Sequence, residues 1–180
     1  MANESDPVVL RRVSYVILSL LFTIGFGVAS CYGVFLGVST EAGEPFGGAS
    51  AGLGAIFLAR RIWESKISLD RSRLVVVNPV RTYEIPYRQI ASVEKDGSGG
   101  LVITTRQGLV VVSTGFAGSL IELFMKTTDR ALERIFPYVK RNTGKSGAEK
   151  VVVRFTFSRI GDCCLALSLL CAVVAGILGA

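Results

Sequence analysis

The sequence predicts an α+β membrane protein: an N-terminal helical hairpin, a small antiparallel β-domain closed by one helix, and a C-terminal helix. Three observations carry this reading. All twenty Lys and Arg fall either at Arg11 and Arg12 or between Arg60 and Arg159, so residues 13–59 and 160–180 hold no positive charge. Two charge-poor blocks, 13–38 with 26 residues and 160–180 with 21, match the roughly 20 apolar residues that a helix needs to cross hydrocarbon. Between the blocks the hydrophobic period drops to that of short strands. At 180 residues and a mean hydropathy of +0.51 there is room for a few helices and one small domain.

The hairpin comes first in the chain. Residues 1–12 read as a cytoplasmic N-terminal tail and 13–63 as a transmembrane hairpin. Its second arm, 46–59, is short and rich in Gly and Ala, and it spans only if the helix continues through Arg60 and Arg61 to Trp63, whose ring suits the interfacial belt. The turn between the arms carries Glu41 and Glu44 without a base, whereas Arg11, Arg12, Arg60 and Arg61 bracket the pair. The positive-inside bias then places both flanks in the cytoplasm and the turn outside. Asn3-Glu4-Ser5 matches a glycosylation sequon that a cytoplasmic N-terminus would leave unmodified.

Gly25, Ala29, Gly33 and Gly37 recur at i+4 in the first arm, and Gly47, Gly48, Ala51, Gly52 and Ala55 crowd the second. Small residues let helix backbones approach closely in lipid, so these positions are expected to pack the hairpin, with dimerisation as the alternative use. Cys31, Cys163, Cys164 and Cys171 all sit in apolar blocks, form no C-x-x-C pair and have no His beside them, which predicts small buried hydrophobes and no metal site. Val28-Ala29-Ser30-Cys31 has the form of a lipobox, but the chain stays apolar after it as far as Val38.

Residues 64–137 form the β-domain. Strand-like runs cover 66–69, 73–77, 81–85, 89–95, 100–105 and 109–113, separated by Asp70-Arg71-Ser72, Asn78-Pro79, Asp96-Gly97-Ser98-Gly99 and Arg106-Gln107-Gly108. The last two steps supply the φ > 0 positions of tight turns. Such spacing predicts an antiparallel meander or barrel. Ser119-x-x-Glu122 then fits a capping box, and Leu120, Leu123, Phe124, Ala131, Leu132, Ile135 and Phe136 mark the face of a helix that covers the barrel mouth and ends at Pro137. Residues 138–159 read as a linker and a candidate edge strand, with alternation from Val151 to Ser158. Gly144-Lys145-Ser146 lacks the first glycine of a phosphate loop, because position 139 is Val. Residues 160–180 form the last transmembrane helix.

With short strands around Ile85-Pro86-Tyr87-Arg88-Gln89-Ile90, a late strand after a Gln-Gly turn and one closing helix, residues 66–136 resemble the bacterial pleckstrin-homology-like (PH) domain of actinobacterial-type membrane proteins. That resemblance implies a split barrel closed by a helix and does not imply phosphoinositide binding.

The chain has no His, no G-x-S-x-G, no dinucleotide loop and no metal-ligand cluster, so the common general bases, nucleophiles and Lewis acids are missing. A non-enzymatic membrane scaffold or accessory subunit is expected, without cofactor, metal or nucleic acid. Its expected partners are the lipid bilayer and a membrane or cytoplasmic protein. Residues 60–159 hold 18 Lys/Arg against 9 Asp/Glu. An alternative function, sensing anionic headgroups or another anionic ligand at the inner leaflet, would draw on Arg60, Arg61, Lys66, Arg71, Arg73, Arg81 and Arg88. Asp162, the one acid inside a predicted span, is a functional candidate by position, though it stands close to the headgroup end.

Overall fold

The computed structural model describes residues 7–11, 13–116, 127–142 and 150–179. The fold is α+β, with an apolar helix near each end of the chain and antiparallel sheets between them. The chain divides into two compact units: a β unit of Met1–Arg12 with Glu64–Thr156, and a helical unit of Val13–Trp63 with Phe157–Ala180. The sequon, the Ser119 capping box, most of the 142–150 linker and Ala180 lie outside the described residues.

In the β unit, β1 (Val8–Leu10), β2 (Lys66–Leu69), β3 (Arg73–Val77), β4 (Arg81–Pro86) and β8 (Val152–Phe155) form one sheet in the order β1-β2-β3-β4-β8. A second sheet holds β5 (Ile90–Lys95), β6 (Leu101–Thr105) and β7 (Val110–Ser113). Every pairing is antiparallel. The expected antiparallel strands are thus divided between two sheets. The break falls at Pro86, after which Tyr87–Gln89 makes a 3₁₀ turn between β4 and β5. Gly99 (φ 87°) and Gly108 (φ 79°) supply the left-handed corners expected of the later turns. β1 lies within the segment read as an N-terminal tail, and β8 occupies the expected edge.

Alternation decides which side chains go inside. Ile67, Leu69, Leu74, Val76, Ile85, Leu101, Ile103 and Val111 are buried, and the residues between them stay partly open. Tyr87 is wholly buried against this core, and its hydroxyl donates to the Asp70 carbonyl at 2.7 Å. Burial first, then the neighbouring Tyr138 and Asp70, pushes its phenol far above the ordinary tyrosine range.

The described part of the closing helix, α3 (Thr127–Asn142), buries Thr128, Ala131 and Ile135, with Leu132 half-buried beside them. Two expectations are corrected. The helix runs through Pro137, because Tyr138 and Val139 continue the packed face, while Glu133 and Pro137 are both exposed and the carbonyl that loses its donor can meet water. Phe136 is 55% exposed, since each residue advances the helix by about 100° and Phe136 turns past the face centred on Ile135.

The helical unit contains α1 (Val13–Thr40), α2 (Gly43–Trp63) and α4 (Arg159–Leu178). By length and hydropathy Tyr15–Thr40 and Arg159–Leu178 are long and apolar enough to cross a membrane, and α2 is not among them. α2 continues through Arg60 and Arg61 to Trp63, and it packs against both α1 and α4. Glu41 takes a left-handed φ of 52° in the tight turn that reverses α1 into α2.

Candidate functional site

The interior of the helical unit is built from small and polar side chains. Ser19, Ser30, Gly37, Gly43, Ala49, Gly52, Gly161 and Ser168 are buried, together with Phe46, Ile56 and Cys171. A Cβ added at Gly33 would stand 2.9 Å from the Pro45 carbonyl oxygen, and one at Gly37 would enter the ring of Phe46. Gly52 likewise faces Ser30 without room for a methyl group. These three residues stand where α1 and α2 approach closely. Gly25, Ala29, Gly47, Gly48 and Ala51 are instead exposed, and Ala55 is half-buried. The physical reason is drift: a strict i+4 stripe advances about 40° per step around a 3.6-residue helix, so a long stripe leaves the contact line. Cys31 and Cys163 also face outward, which corrects the expectation of buried cysteines; Cys171 is buried and Cys164 is half-buried.

Two polar clusters tie these helices together. Ser50 and Ser168 form a reciprocal clasp: each hydroxyl donates to the other residue's backbone carbonyl, at 2.9 and 2.8 Å. Near the end of α2, Arg61 pairs with Asp162 at 2.7 Å and lies over the Phe57 ring, while Arg60 reaches the Ser19 hydroxyl at 3.2 Å. Asp162 also accepts from the Ser158 N–H at 3.2 Å, and Ser158 caps α4 by accepting from the Gly161 N–H. Asp162 is thus part of a helix cap and an ion pair. The serines and Arg61–Asp162 were not anticipated as partners; the available signal was hydroxyls and one carboxylate within otherwise apolar stretches.

The basic residues of the β unit separate into two groups. At one end of the five-stranded sheet stand Lys66, which opens β2, and the exposed Arg81, which opens β4. At the other end the β2–β3 turn carries exposed Arg71, the start of β3 carries Arg73, and the 3₁₀ turn after β4 carries exposed Arg88. The register confirms the separation, since Lys66 pairs with Val77 while Arg73 pairs with Pro86. With a strand rise of about 3.3 Å per residue, the two groups are on the order of 13 Å apart. Arg73 is also engaged locally: it and Arg154, the latter at 3.2 Å, hold the two oxygens of Glu84.

Asn78 is a hub that sequence reading treated only as a breaker. Its amide donates to the Val112 carbonyl at 2.7 Å and accepts from the Thr114 N–H at 2.9 Å, so one side chain bridges the two sheets as a strand edge would. Its own carbonyl accepts from the Thr156 hydroxyl at 2.8 Å. On the β5–β6 turn, hydrogen bonds from the Ser98 hydroxyl and the Gly100 N–H hold the Asp96 carboxyl below its usual range. Among the described residues no group of three or more His, Cys, Asp or Glu could hold a metal ion. A groove of about 260 Å³ on α1 is lined by Leu21, Phe22, Gly25, Phe26 and Ala29, none of which offers a side-chain hydrogen bond.

No protein-family profile, no curated protein and no solved structure matches the chain.

Proposed function

We propose that the chain is a non-enzymatic, multi-pass membrane protein that presents a PH-like module on the cytoplasmic face as a scaffold or accessory subunit. One observation carries this: the helical unit is built inside out. Leu21 is 63% exposed, Phe35 64%, Val38 67%, Val173 59% and Ile177 71%, while Ser19, Ser30 and Ser168 are buried. A contiguous apolar exterior of this kind is costly in water and natural against acyl chains, where helices associate through small residues and interhelical hydrogen bonds.

Sheet connectivity supports the topology independently of charge. β1 precedes α1, β2 follows α2, and the two strands pair side by side. If α1 crosses, the chain must therefore cross back before β2, and α2 is the segment available to do so. Its low hydropathy follows from its place between α1 and α4, since a helix covered by neighbours on two sides needs less apolar surface. β8 belongs to the same sheet and leads into α4, so α4 starts on that side and ends on the other. The bases concentrated between Arg60 and Arg159 favour the reading that the sheet side faces the cytoplasm of the cell (inner) membrane and the C-terminus the outside. For the module itself, two antiparallel sheets with α3 packed on their shared core support the PH-like reading.

The test is labelling with a membrane-impermeant thiol reagent in a background lacking the native cysteines. Glu41→Cys should react in intact cells, and Ser98→Cys only after permeabilisation. Labelling of Ser98→Cys from outside would overturn the topology.

A further inference from the structure

We infer that one end of the five-stranded sheet is a docking rim for the anionic headgroup layer, and that the basic cluster at the opposite end takes no part in it. This inference rests on the membrane reading proposed above. The rim is defined by register. Leu10 ends β1, Lys66 opens β2, Val77 closes β3, Arg81 opens β4 and Phe155 ends β8, and these residues lie at one end because Leu10 pairs with Ile67, Lys66 with Val77, and Arg81 with Phe155. From this same end the chain leaves toward each of its helices: Leu10 is followed by α1 at Val13, Lys66 is preceded by α2 ending at Trp63, and Phe155 is followed by α4 at Arg159. Three short covalent connections tie this end of the sheet to the helices.

The residues at that end suit an interface. Val80, at the tip of the β3–β4 turn, is 57% exposed, and Phe155 is 62% exposed. They are held side by side, since the Thr156 N–H donates to the Val80 carbonyl at 3.0 Å. Arg11 and Arg81 are exposed and Lys66 is half-buried, with Glu64 two residues before Lys66. Apolar tips flanked by bases complement a surface of acyl chains beneath anionic phosphates. A catalytic surface or a charge-neutral protein contact would not require that combination exactly where the spans attach. Arg71, Arg73 and Arg88, on the order of 13 Å further along the strands, stand beyond the Debye length of about 8 Å at physiological ionic strength.

The experiment uses the full chain without native cysteines, reconstituted in vesicles of equal parts phosphatidylcholine and phosphatidylglycerol, with a small fluorophore at Val80→Cys, Arg71→Cys or Leu21→Cys. Headgroup-nitroxide lipid should quench the label at position 80 severalfold more than at 71, and omission of phosphatidylglycerol should lower the quenching at 80. Acyl-chain nitroxide should quench the label at 21. Equal quenching at 80 and 71 with strong quenching at 21 would overturn the rim and leave the membrane reading standing. Absence of quenching at 21 would overturn both. Shielding of position 80 from headgroup nitroxide and from aqueous iodide alike would mean that a protein covers the rim, which also overturns the proposal.

Discussion

The two units of this chain obey opposite burial rules. In the β unit the large apolar residues Ile67, Leu74, Ile85, Leu101 and Ile135 are completely buried, and charge and turns lie outside. In the helical unit Leu21, Val28, Phe35 and Ile177 are more than three-fifths exposed, while serines occupy the interior. On the membrane reading proposed above, the two units face different solvents. Water drives large side chains inward because exposed apolar surface costs roughly 25 cal/mol per Å². Lipid removes that drive and leaves close packing and hydrogen bonding to hold helices together.

Aspartate scanning is the sharpest way to break the comparison. Ile135→Asp places a carboxylate in the core shared by α3 and both sheets, so it should destabilise the β unit by several kcal/mol, seen as loss of its cooperative thermal transition. Leu21→Asp changes a residue that an aqueous protein would leave wet, where substitution normally shifts stability by less than about 0.5 kcal/mol. If that face of α1 meets lipid, as proposed, the same change should cost about 3 kcal/mol of insertion, measured as a reduced membrane-integrated fraction in a translocon assay. Undiminished integration of Leu21→Asp would place the helical unit's exterior in water and end the contrast.

Next in size is Asn78→Ala. It removes a donor to Val112 and an acceptor for Thr114, leaving two backbone groups to find other partners. An expected loss of about 2 kcal/mol follows from uncompensated hydrogen bonds. Asn78→Asp keeps the acceptor but cannot donate, so it should fall between wild type and alanine unless its charge adds a desolvation cost. Chemical denaturation monitored at the buried Tyr87 reads both variants. An alanine variant as stable as wild type would mean that core packing alone joins the sheets.

How much of this was legible depended on the range of each interaction. Strand positions, the left-handed Gly99 and Gly108 and the long helices follow from local rules, because alternation, φ > 0 and apolar length are written in consecutive residues. β1 was hidden: Val8-Val9-Leu10 is too short to show a period, and its strand character comes from pairing with β2 more than fifty residues later. Pro137 misled because local propensity forbids a helix interior that tertiary packing of Tyr138 and Val139 favours. The helical contacts were half legible. Small residues announce close packing, but which of them face a neighbour depends on the helix's rotation, so Gly33, Gly37 and Gly52 were indistinguishable in sequence from Gly25, Gly47 and Gly48. Arg61–Asp162 and Asn78–Val112 join residues 101 and 34 positions apart, which no local pattern records.

The smallest effect tests the interior of the helical unit. Ser168→Ala removes a hydroxyl that donates to the Ser50 carbonyl at 2.8 Å and lies 3.2 Å from the Ser50 hydroxyl. In water such a buried serine would be expected to contribute about 1 kcal/mol. Among helices in a bilayer the measured average for an interhelical hydrogen bond is nearer about 0.6 kcal/mol, because the separated helices also find partners for their polar groups. Ser168→Ala should therefore lower bundle stability in detergent unfolding only slightly, whereas Ser168→Val should cost several times more. Valine brings branched bulk to a buried position whose hydroxyl meets Ser50 of α2. If alanine proves as damaging as valine, hydrogen bonding holds these helices more than close approach does. The interior of the helical unit would then follow the same rule as Asn78 in the β unit.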